Sequence, residues 1–176
     1  MIMKTTRFLS LLAAGLAMAA PAFAETVVTL SKVHLCCTSC VKGVEKAVST
    51  VNGLTAVIDK DGGTVALHAA DKATVQKGVD AIVGVGYFGV SNDPTVQPDA
   101  ATGAPSGKVE VLVVKGLHLC CGKCVKAVND AVGKVSGVKG TTAEKGVKSF
   151  QVTGQFQAKE VFAALQKAGL TGKAGN

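Results

Sequence analysis

The sequence predicts an α+β protein made of two similar halves, and three observations lead to this prediction. First, residues 34–53 align without a gap to residues 118–137, with identical residues at 12 of the 20 positions, so the chain contains an internal duplication. Second, each copy alternates runs rich in β-branched residues with stretches whose apolar residues recur every three or four positions. Third, a segment that holds three of the four prolines separates the copies at residues 91–107.

The first copy predicts six elements in the order strand, helix, strand, strand, helix, strand. Their expected bounds are the strand 26–35, the helix 39–51, the strands 54–59 and 64–69, the helix 71–83 and the strand 85–90. The pair Asn52 and Gly53 has turn chemistry that ends the first helix. The turn from Asp61 to Gly63 predicts a hairpin, and Asp71 is a suitable N-cap for the second helix.

The second copy repeats this order with less regular spacing. It predicts the strand 108–117, the helix 123–135, a hairpin within 137–154, the helix 158–169 and a short or frayed last strand in the Gly-rich tail 170–176. The order β-α-β-β-α-β is that of the ferredoxin-like, split βαβ unit. We therefore expect two tandem ferredoxin-like domains, residues 25–90 and 108–176, joined by a flexible linker at residues 91–107.

The N-terminal residues 1–24 have the order of a secretory signal peptide. Lys4 and Arg7 precede an apolar run of about a dozen residues, and small residues stand at Ala22 and Ala24. The run is too short for a membrane span of about 20 residues. We expect cleavage after Ala24, a periplasmic or secreted protein, and no stable membrane insertion after cleavage.

The charge pattern excludes nucleic-acid binding as the expected function. The chain has 19 Lys and Arg against 12 Asp and Glu, but the basic residues are scattered. It has no Trp and one Tyr, whereas nucleic-acid binding calls for a basic stripe or aromatic platforms.

All six cysteines fall into two clusters that read CCTSC and CCGKC, each between a predicted strand and a predicted helix. They are Cys36, Cys37, Cys40, Cys120, Cys121 and Cys124. Three cysteines per cluster do not suit a disulfide framework, which cross-links distant points. A cysteine at a helix N-terminus tends to have a lowered pKa, and soft thiolates select Cu(I), Zn(II) and heavier thiophilic ions.

A β-α-β-β-α-β unit with C-x-x-C between its first strand and first helix resembles the heavy-metal-associated domain. The resemblance covers nearly all of the chain after residue 24, twice. It implies metal ligation by Cys37 with Cys40 and by Cys121 with Cys124. It also implies a role in binding or carrying metal, with a metal-transporting ATPase or another metal-binding protein as partner.

The chain departs from the family's G-M-x-C-x-x-C pattern in each copy. Leu35 and Leu119 replace Met, and His34 and His118 replace Gly. An added cysteine before each C-x-x-C resembles the C-C-x-x-E variant of some zinc-pumping ATPases, so both Cu(I) and Zn(II) stay open, at about one ion per domain. Facing three-thiol sites could also share an ion.

The added cysteines, Cys36 and Cys120, are predicted as third ligands. Adjacent residues of a strand point in opposite directions, so this prediction requires that each loop has left strand geometry. The alternative is a small buried hydrophobic residue.

The remaining candidates are histidines and one tyrosine. His34 and His118 are expected at strand ends with satisfied hydrogen bonds, and a role as fourth ligand is the alternative. His68 has no counterpart in the second copy and is not expected to bind metal. Tyr87 matches an aromatic residue near the metal loop of the family, whereas the second copy has Leu170.

Together these observations predict an exported, non-enzymatic protein that binds soft metal ions for trafficking, buffering or detoxification. The alternative is a thiol–disulfide oxidoreductase, since C-x-x-C at a helix start is also typical of that class. The chain lacks the Trp, and the Pro near either cluster, that usually accompany such redox motifs.

Overall fold

The computed structural model describes residues 25–175, which form two four-stranded antiparallel sheets and four helices. The predicted signal peptide lies outside the described residues. In the part of the chain that is described, no helix combines the length and apolar character needed to cross a bilayer.

The first sheet contains the four strands of the first copy. Along the chain the elements are β1 (Thr26–Ser31), α1 (Thr38–Val48), β2 (Thr55–Asp59), β3 (Thr64–Ala69), α2 (Lys72–Gly84) and β4 (Val90–Ser91). The strand order β2-β3-β1-β4, with both hairpin and crossover pairs antiparallel, is that of the ferredoxin-like unit.

The second sheet repeats this topology. Its elements are β5 (Lys108–Lys115), α3 (Gly122–Val132), β6 (Val138–Thr141), β7 (Ser149–Gln157), α4 (Ala158–Lys167) and β8 (Lys173–Gly175). The order β6-β7-β5-β8 corresponds strand by strand to the first sheet. The predicted α+β class with two ferredoxin-like units is confirmed, and β8 has the short length expected from its Gly-rich sequence.

Each sheet buries one face beneath two helices, because apolar residues alternate along the strands and recur at helical spacing. Val28 and Leu30 of β1 pack inward with Val44 and Val48 of α1, and all are at most 4% exposed. The buried residues of both domains join in one continuous cluster, which includes Cys40 and Cys124. The two cysteine clusters therefore lie at a seam within one core.

The seam is held by backbone hydrogen bonds between the two domains. Tyr87 and Leu170 form an antiparallel bridge, and the Thr171 N–H donates to the Gly86 carbonyl at 3.0 Å. The N–H groups of His34 and Phe88 donate to the Gly169 carbonyl at 3.2 and 3.0 Å. These bonds fix the domains with their cysteine loops facing each other.

This docking explains one difference from the sequence prediction. The strand expected at residues 85–90 is reduced to Val90–Ser91, because Gly86, Tyr87 and Phe88 bond to the second domain instead of to their own sheet. The first strand also ends early, at Ser31, because Lys32 adopts a left-handed backbone with φ of 60°. The residues up to the cysteines thus form a loop.

The linker contacts both domains. Lys72 of α2 forms a 2.6 Å ion pair with Asp93, and Val96 is only 1% exposed. Farther along, the Ala174 N–H donates to the Thr102 carbonyl at 2.7 Å. Between these contacts the Gln97 N–H donates to the Gln76 side chain at 3.0 Å, and the Gln166 side chain donates to the Ala100 carbonyl at 3.2 Å. The linker is therefore hydrogen-bonded to the domains along its length.

Candidate metal centre

Each cysteine cluster begins in a loop and ends in the first turn of a helix. Cys37 and Cys121 are the N-caps of α1 and α3, and their extended backbones let each carbonyl accept the first helical N–H groups. Cys40 and Cys124 lie one turn into the helices and are fully buried. The orphan N–H groups and the positive dipole end of each helix therefore face the sulfurs.

Docking brings the sulfurs of the two domains into direct contact. The Sγ atom of Cys36 lies 3.5 Å from those of Cys121 and Cys124, and the Sγ atom of Cys40 lies 3.6 Å from that of Cys120 and 3.8 Å from that of Cys124. The Cys37–Cys120 distance is 3.5 Å. The predicted site in each domain is thus one half of a common six-sulfur centre.

The centre has an approximate two-fold axis that exchanges the domains. The Cys36–Cys40 distance of 3.7 Å corresponds to 3.6 Å for Cys120–Cys124. Within the C-x-x-C pairs, Cys37–Cys40 at 3.7 Å corresponds to 3.9 Å for Cys121–Cys124. The axis passes between Cys40 and Cys124, so these two buried sulfurs form the floor of the centre.

Proximity of the sulfurs controls which of them ionises first. Hydrogen bonding from the Cys124 thiol holds the pKa of Cys40 well below the usual range of a thiol, and contacts with His118 and Cys120 act in the same direction. The same pairing with Cys40, followed by burial, raises the pKa of Cys124. One thiolate on the floor is therefore solvated by neighbouring thiols, and a second beside it is disfavoured.

The outer sulfurs differ in their environments. Burial raises the pKa of Cys36 to about 12, and burial also raises the pKa of Cys120. At Cys121 the backbone N–H of Cys124 lowers the pKa to about 6, as expected for a cysteine at a helix N-terminus. A cation that replaces the thiol protons would relieve the repulsion between neighbouring thiolates.

His34 and His118 flank the centre, and the prediction that their hydrogen bonds are satisfied is wrong. The Nε2 atoms of both rings are buried without a hydrogen-bond partner. A ring nitrogen of His34 lies within 4.8 Å of the Sγ atoms of Cys36 and Cys124. Burial is the largest influence on His34 and lowers its pKa, so the neutral ring is favoured. The position of the His34 ring beside these two sulfurs makes it a candidate ligand.

The Tyr87 side chain packs against the cysteine cluster of the first domain. It is fully buried, its hydroxyl donates to the Cys40 carbonyl at 3.1 Å, and its ring lies 4.9 Å from that of His118. Burial raises its pKa, so the hydroxyl keeps its proton and remains a donor. Gly43 makes room for it, since a Cβ atom there would lie 2.9 Å from the Tyr87 hydroxyl oxygen.

The structure brings together all six cysteines that the sequence singled out. The loops have left strand geometry, which is the condition set for Cys36 and Cys120 to converge with the C-x-x-C sulfurs. His68 instead lies beside Glu25, with 3.4 Å between its Nδ1 atom and a carboxylate oxygen of Glu25. The seam residues Gly86 and Gly169 were missed, although each copy repeats a glycine at this place.

Comparisons with known proteins give the following result. No protein-family model matches the chain, and no curated protein matches it. Similar solved structures include the N-terminal soluble domains of Bacillus subtilis CopA, at 15% identity over 86% of this chain and 95% of that chain, with a TM-score of 0.29. The water-soluble region of the P-type ATPase CopA from Bacillus subtilis matches at 16% identity over 86% and 92% of the two chains, also with a TM-score of 0.29.

A third similar structure is that of the first two RRM domains of the yeast poly(U)-binding protein Pub1. It matches at 11% identity over 85% of this chain and 98% of that chain, with a TM-score of 0.25. At these identities and TM-scores none of the three similarities bears on function. The ferredoxin-like fold of both domains follows from the strand order, and the six clustered sulfurs form a candidate site for a soft metal.

Proposed function

We propose that this protein binds soft metal ions, Cu(I) or Zn(II), through its six cysteines and serves in metal trafficking, buffering or detoxification. The observation that carries the proposal is the convergence of six sulfur atoms, three from each domain, with neighbours 3.5–3.9 Å apart. A tetrahedral Zn–S bond of about 2.3 Å requires sulfurs about 3.8 Å apart. The spacing of neighbouring sulfurs therefore suits thiolate ligation of a soft metal.

The surroundings of the sulfurs favour binding over catalysis on a substrate. The floor sulfurs, Cys40 and Cys124, are fully buried, so a substrate cannot reach them without opening the seam. The outer sulfurs of Cys37 and Cys121 remain partly exposed at the rim. A metal can enter and leave there by exchange with the thiols of a partner, such as a metal-transporting ATPase or another metal-binding protein.

A thiol–disulfide oxidoreductase is the second candidate, and the lowered pKa of Cys121 favours it. The test that separates the two functions uses the exported chain without residues 1–24. The chain is purified under anaerobic, reducing conditions, and its bound metal is measured. Metal binding predicts retained soft metal that is released when the thiols are alkylated. Reductase turnover with no retained metal would overturn the proposal. Detection of the chain outside the cytoplasm tests the expected periplasmic or secreted location.

A further inference from the structure

We propose that the six cysteines form one polynuclear Cu(I)–thiolate centre that spans both domains and holds four Cu(I) ions per chain. This inference rests on the proposed function and goes beyond it in stoichiometry, metal and the sharing of ligands between domains.

The six sulfurs occupy the corners of a distorted octahedron. Nine pairs lie 3.5–3.9 Å apart, and three more, Cys36–Cys37, Cys37–Cys121 and Cys120–Cys121, lie within 4.8 Å. Each sulfur therefore has four neighbours and one opposite corner, and the opposite corners are Cys36 and Cys120, Cys37 and Cys124, and Cys40 and Cys121. This connectivity of twelve edges is that of an octahedron.

The octahedron offers triangular faces and no four mutually neighbouring sulfurs. Any four of its corners include at least one opposite pair, so a tetrahedral four-sulfur site for Zn(II) requires rearrangement. Three-coordinate Cu(I) fits the faces, and thiolates are the soft ligands that select it. Four of the eight faces can be chosen so that no two of them share an edge, and these four alternate faces use every sulfur twice. Four metal ions, one on each alternate face, therefore fit, and each thiolate bridges two of them.

Four of the eight faces, two in each alternate set, have all three edges at 3.5–3.9 Å, close to the size that a metal–thiolate bond requires. The face formed by Cys36, Cys40 and Cys124 has edges of 3.7, 3.5 and 3.8 Å. Its centre lies about 2.1 Å from each sulfur, slightly less than a metal–sulfur bond of about 2.3 Å. Widening of the edges by about 0.3 Å, to about 4.0 Å, lets a metal ion in the plane of the face reach all three sulfurs at this bond length.

Charge balance favours several ions over one in each domain. Six thiolates and four Cu(I) ions leave a net charge of about −2, opposite the two helix N-termini, each of which carries roughly half a positive charge. One Cu(I) ion in each domain would leave a charge of about −4, or thiols that keep their protons, in a half-buried site, which is unfavourable because of the desolvation cost.

The centre depends on the docked domains. There are two ways to choose four alternate faces, and in each of them three faces combine sulfurs from both domains. Examples are the faces Cys37–Cys40–Cys120 and Cys36–Cys37–Cys121. The fourth face belongs to one domain alone, either Cys36–Cys37–Cys40 or Cys120–Cys121–Cys124. Domains that bound metal separately would keep no bridging sulfurs across the seam.

The test is an anaerobic Cu(I) titration of the reduced chain without residues 1–24, with a chelator as competitor. The tightly held copper is counted, and X-ray absorption measures its neighbours. We expect a plateau of four Cu(I) per chain, trigonal sulfur ligation, and copper neighbours about 2.7 Å apart, since alternate face centres are separated by two thirds of a sulfur edge that has widened to about 4.0 Å.

Cys36→Ser removes one corner, and two of the four alternate faces then remain in either arrangement. We expect its plateau to fall from four to two, and Cys120→Ser, the equivalent on the other side of the axis, to do the same. Val57→Ser on the exposed face of β2 is the matched control and keeps four. Circular dichroism verifies that each variant is folded.

Two results separate this inference from the proposed function. A plateau of two that Cys36→Ser leaves unchanged, without copper neighbours, means that each C-x-x-C pair acts alone; the shared centre is then wrong and the proposed function stands. Any other non-zero plateau likewise overturns the stoichiometry. No retained copper in the folded, reduced chain, and no other soft metal in its place, overturns both.

Discussion

Replacing Gly169 by Ala should separate the two domains and abolish the shared centre. Gly169 has a φ of 79°, and an added Cβ atom would lie 2.3 Å from the carbonyl oxygen of Lys32 and 2.5 Å from the backbone nitrogen of His34. Both neighbours are backbone atoms of the other domain, so no side chain can turn away. The seam must open for the methyl group to fit.

The free-energy cost of Gly169→Ala has two parts. A non-glycine residue in a left-handed backbone costs roughly 1–2 kcal/mol wherever it occurs. Opening the seam also removes the hydrogen bonds from His34 and Phe88 to the Gly169 carbonyl, each worth about 1 kcal/mol. Gly53→Ala is the matched control, because Gly53 has a φ of 75° and no atom within 4 Å of the added Cβ. Gly53→Ala therefore has the cost of the left-handed backbone without the loss of the two hydrogen bonds.

The assay compares the two variants in amide hydrogen exchange and copper stoichiometry. In Gly169→Ala the amides of His34 and Phe88 should exchange about thirtyfold faster than in Gly53→Ala, which corresponds to the additional 2 kcal/mol or so. The copper plateau should fall from four, while Gly53→Ala keeps it. Equal exchange rates and an unchanged plateau in both variants would refute the docking on which the six-sulfur centre depends.

Three further predictions concern stability. Gly43→Ala should be better tolerated in a Tyr87→Phe background than in the parent chain. In the parent chain the added methyl group meets the Tyr87 hydroxyl oxygen at 2.9 Å, whereas in the Tyr87→Phe background the first remaining neighbour is the His118 Cε1 atom at 3.3 Å. A helix-interior Gly→Ala change gains up to about 1 kcal/mol, and equal effects of Gly43→Ala on chemical unfolding in the two backgrounds would contradict this. Asp71→Ala should cost about 1 kcal/mol in the same assay, because the Asp71 carboxylate caps α2 by accepting from the Thr74 N–H; no loss would disprove the cap's role. The Lys72 ammonium lowers the pKa of Asp93 to about 2. The stability that this ion pair contributes is therefore fully present above about pH 3.8 and is lost as the pH falls to about 2. NMR titration should show the low pKa of Asp93, and Lys72→Ala should raise that pKa.

Local patterns were sufficient to predict most of the secondary structure. Apolar spacing predicts helix starts at residues 39 and 123, within one residue of the observed starts at Thr38 and Gly122, and the N-cap role of Asp71 is confirmed by its 2.8 Å bond to the Thr74 N–H. These features depend on interactions within a few residues, which is the range that sequence periodicity reports. The convergence of Cys36 with its neighbours was predicted on the condition that the loop leaves strand geometry, which it does.

The hypothesis that facing sites could share an ion raised contact between the clusters, but the backbone pairing that docks the domains was not predicted, and it accounts for the errors in segment 85–90 and at the two histidines. The segment 85–90 has the composition of a strand, yet the bond from Thr171 to the Gly86 carbonyl and the bridge from Tyr87 to Leu170 use its backbone for the other domain. A pairing between residues more than eighty positions apart leaves no periodic signal. The same docking buries the His34 and His118 rings, whose hydrogen bonds were expected to be satisfied.

A tandem duplication suits a centre that is almost, but not fully, symmetric. Gly43 and Tyr87 form a matched pair in the first domain, and at the equivalent positions of the second domain Ala127 and Leu170 form another, in which there is no hydroxyl group to accommodate. Two separate chains with one sequence could not differ in this way. The linker, anchored by the Lys72–Asp93 ion pair, also keeps the half-sites at a high effective concentration. Formation of the six-sulfur centre is therefore an intramolecular event, and it does not weaken when the protein is dilute.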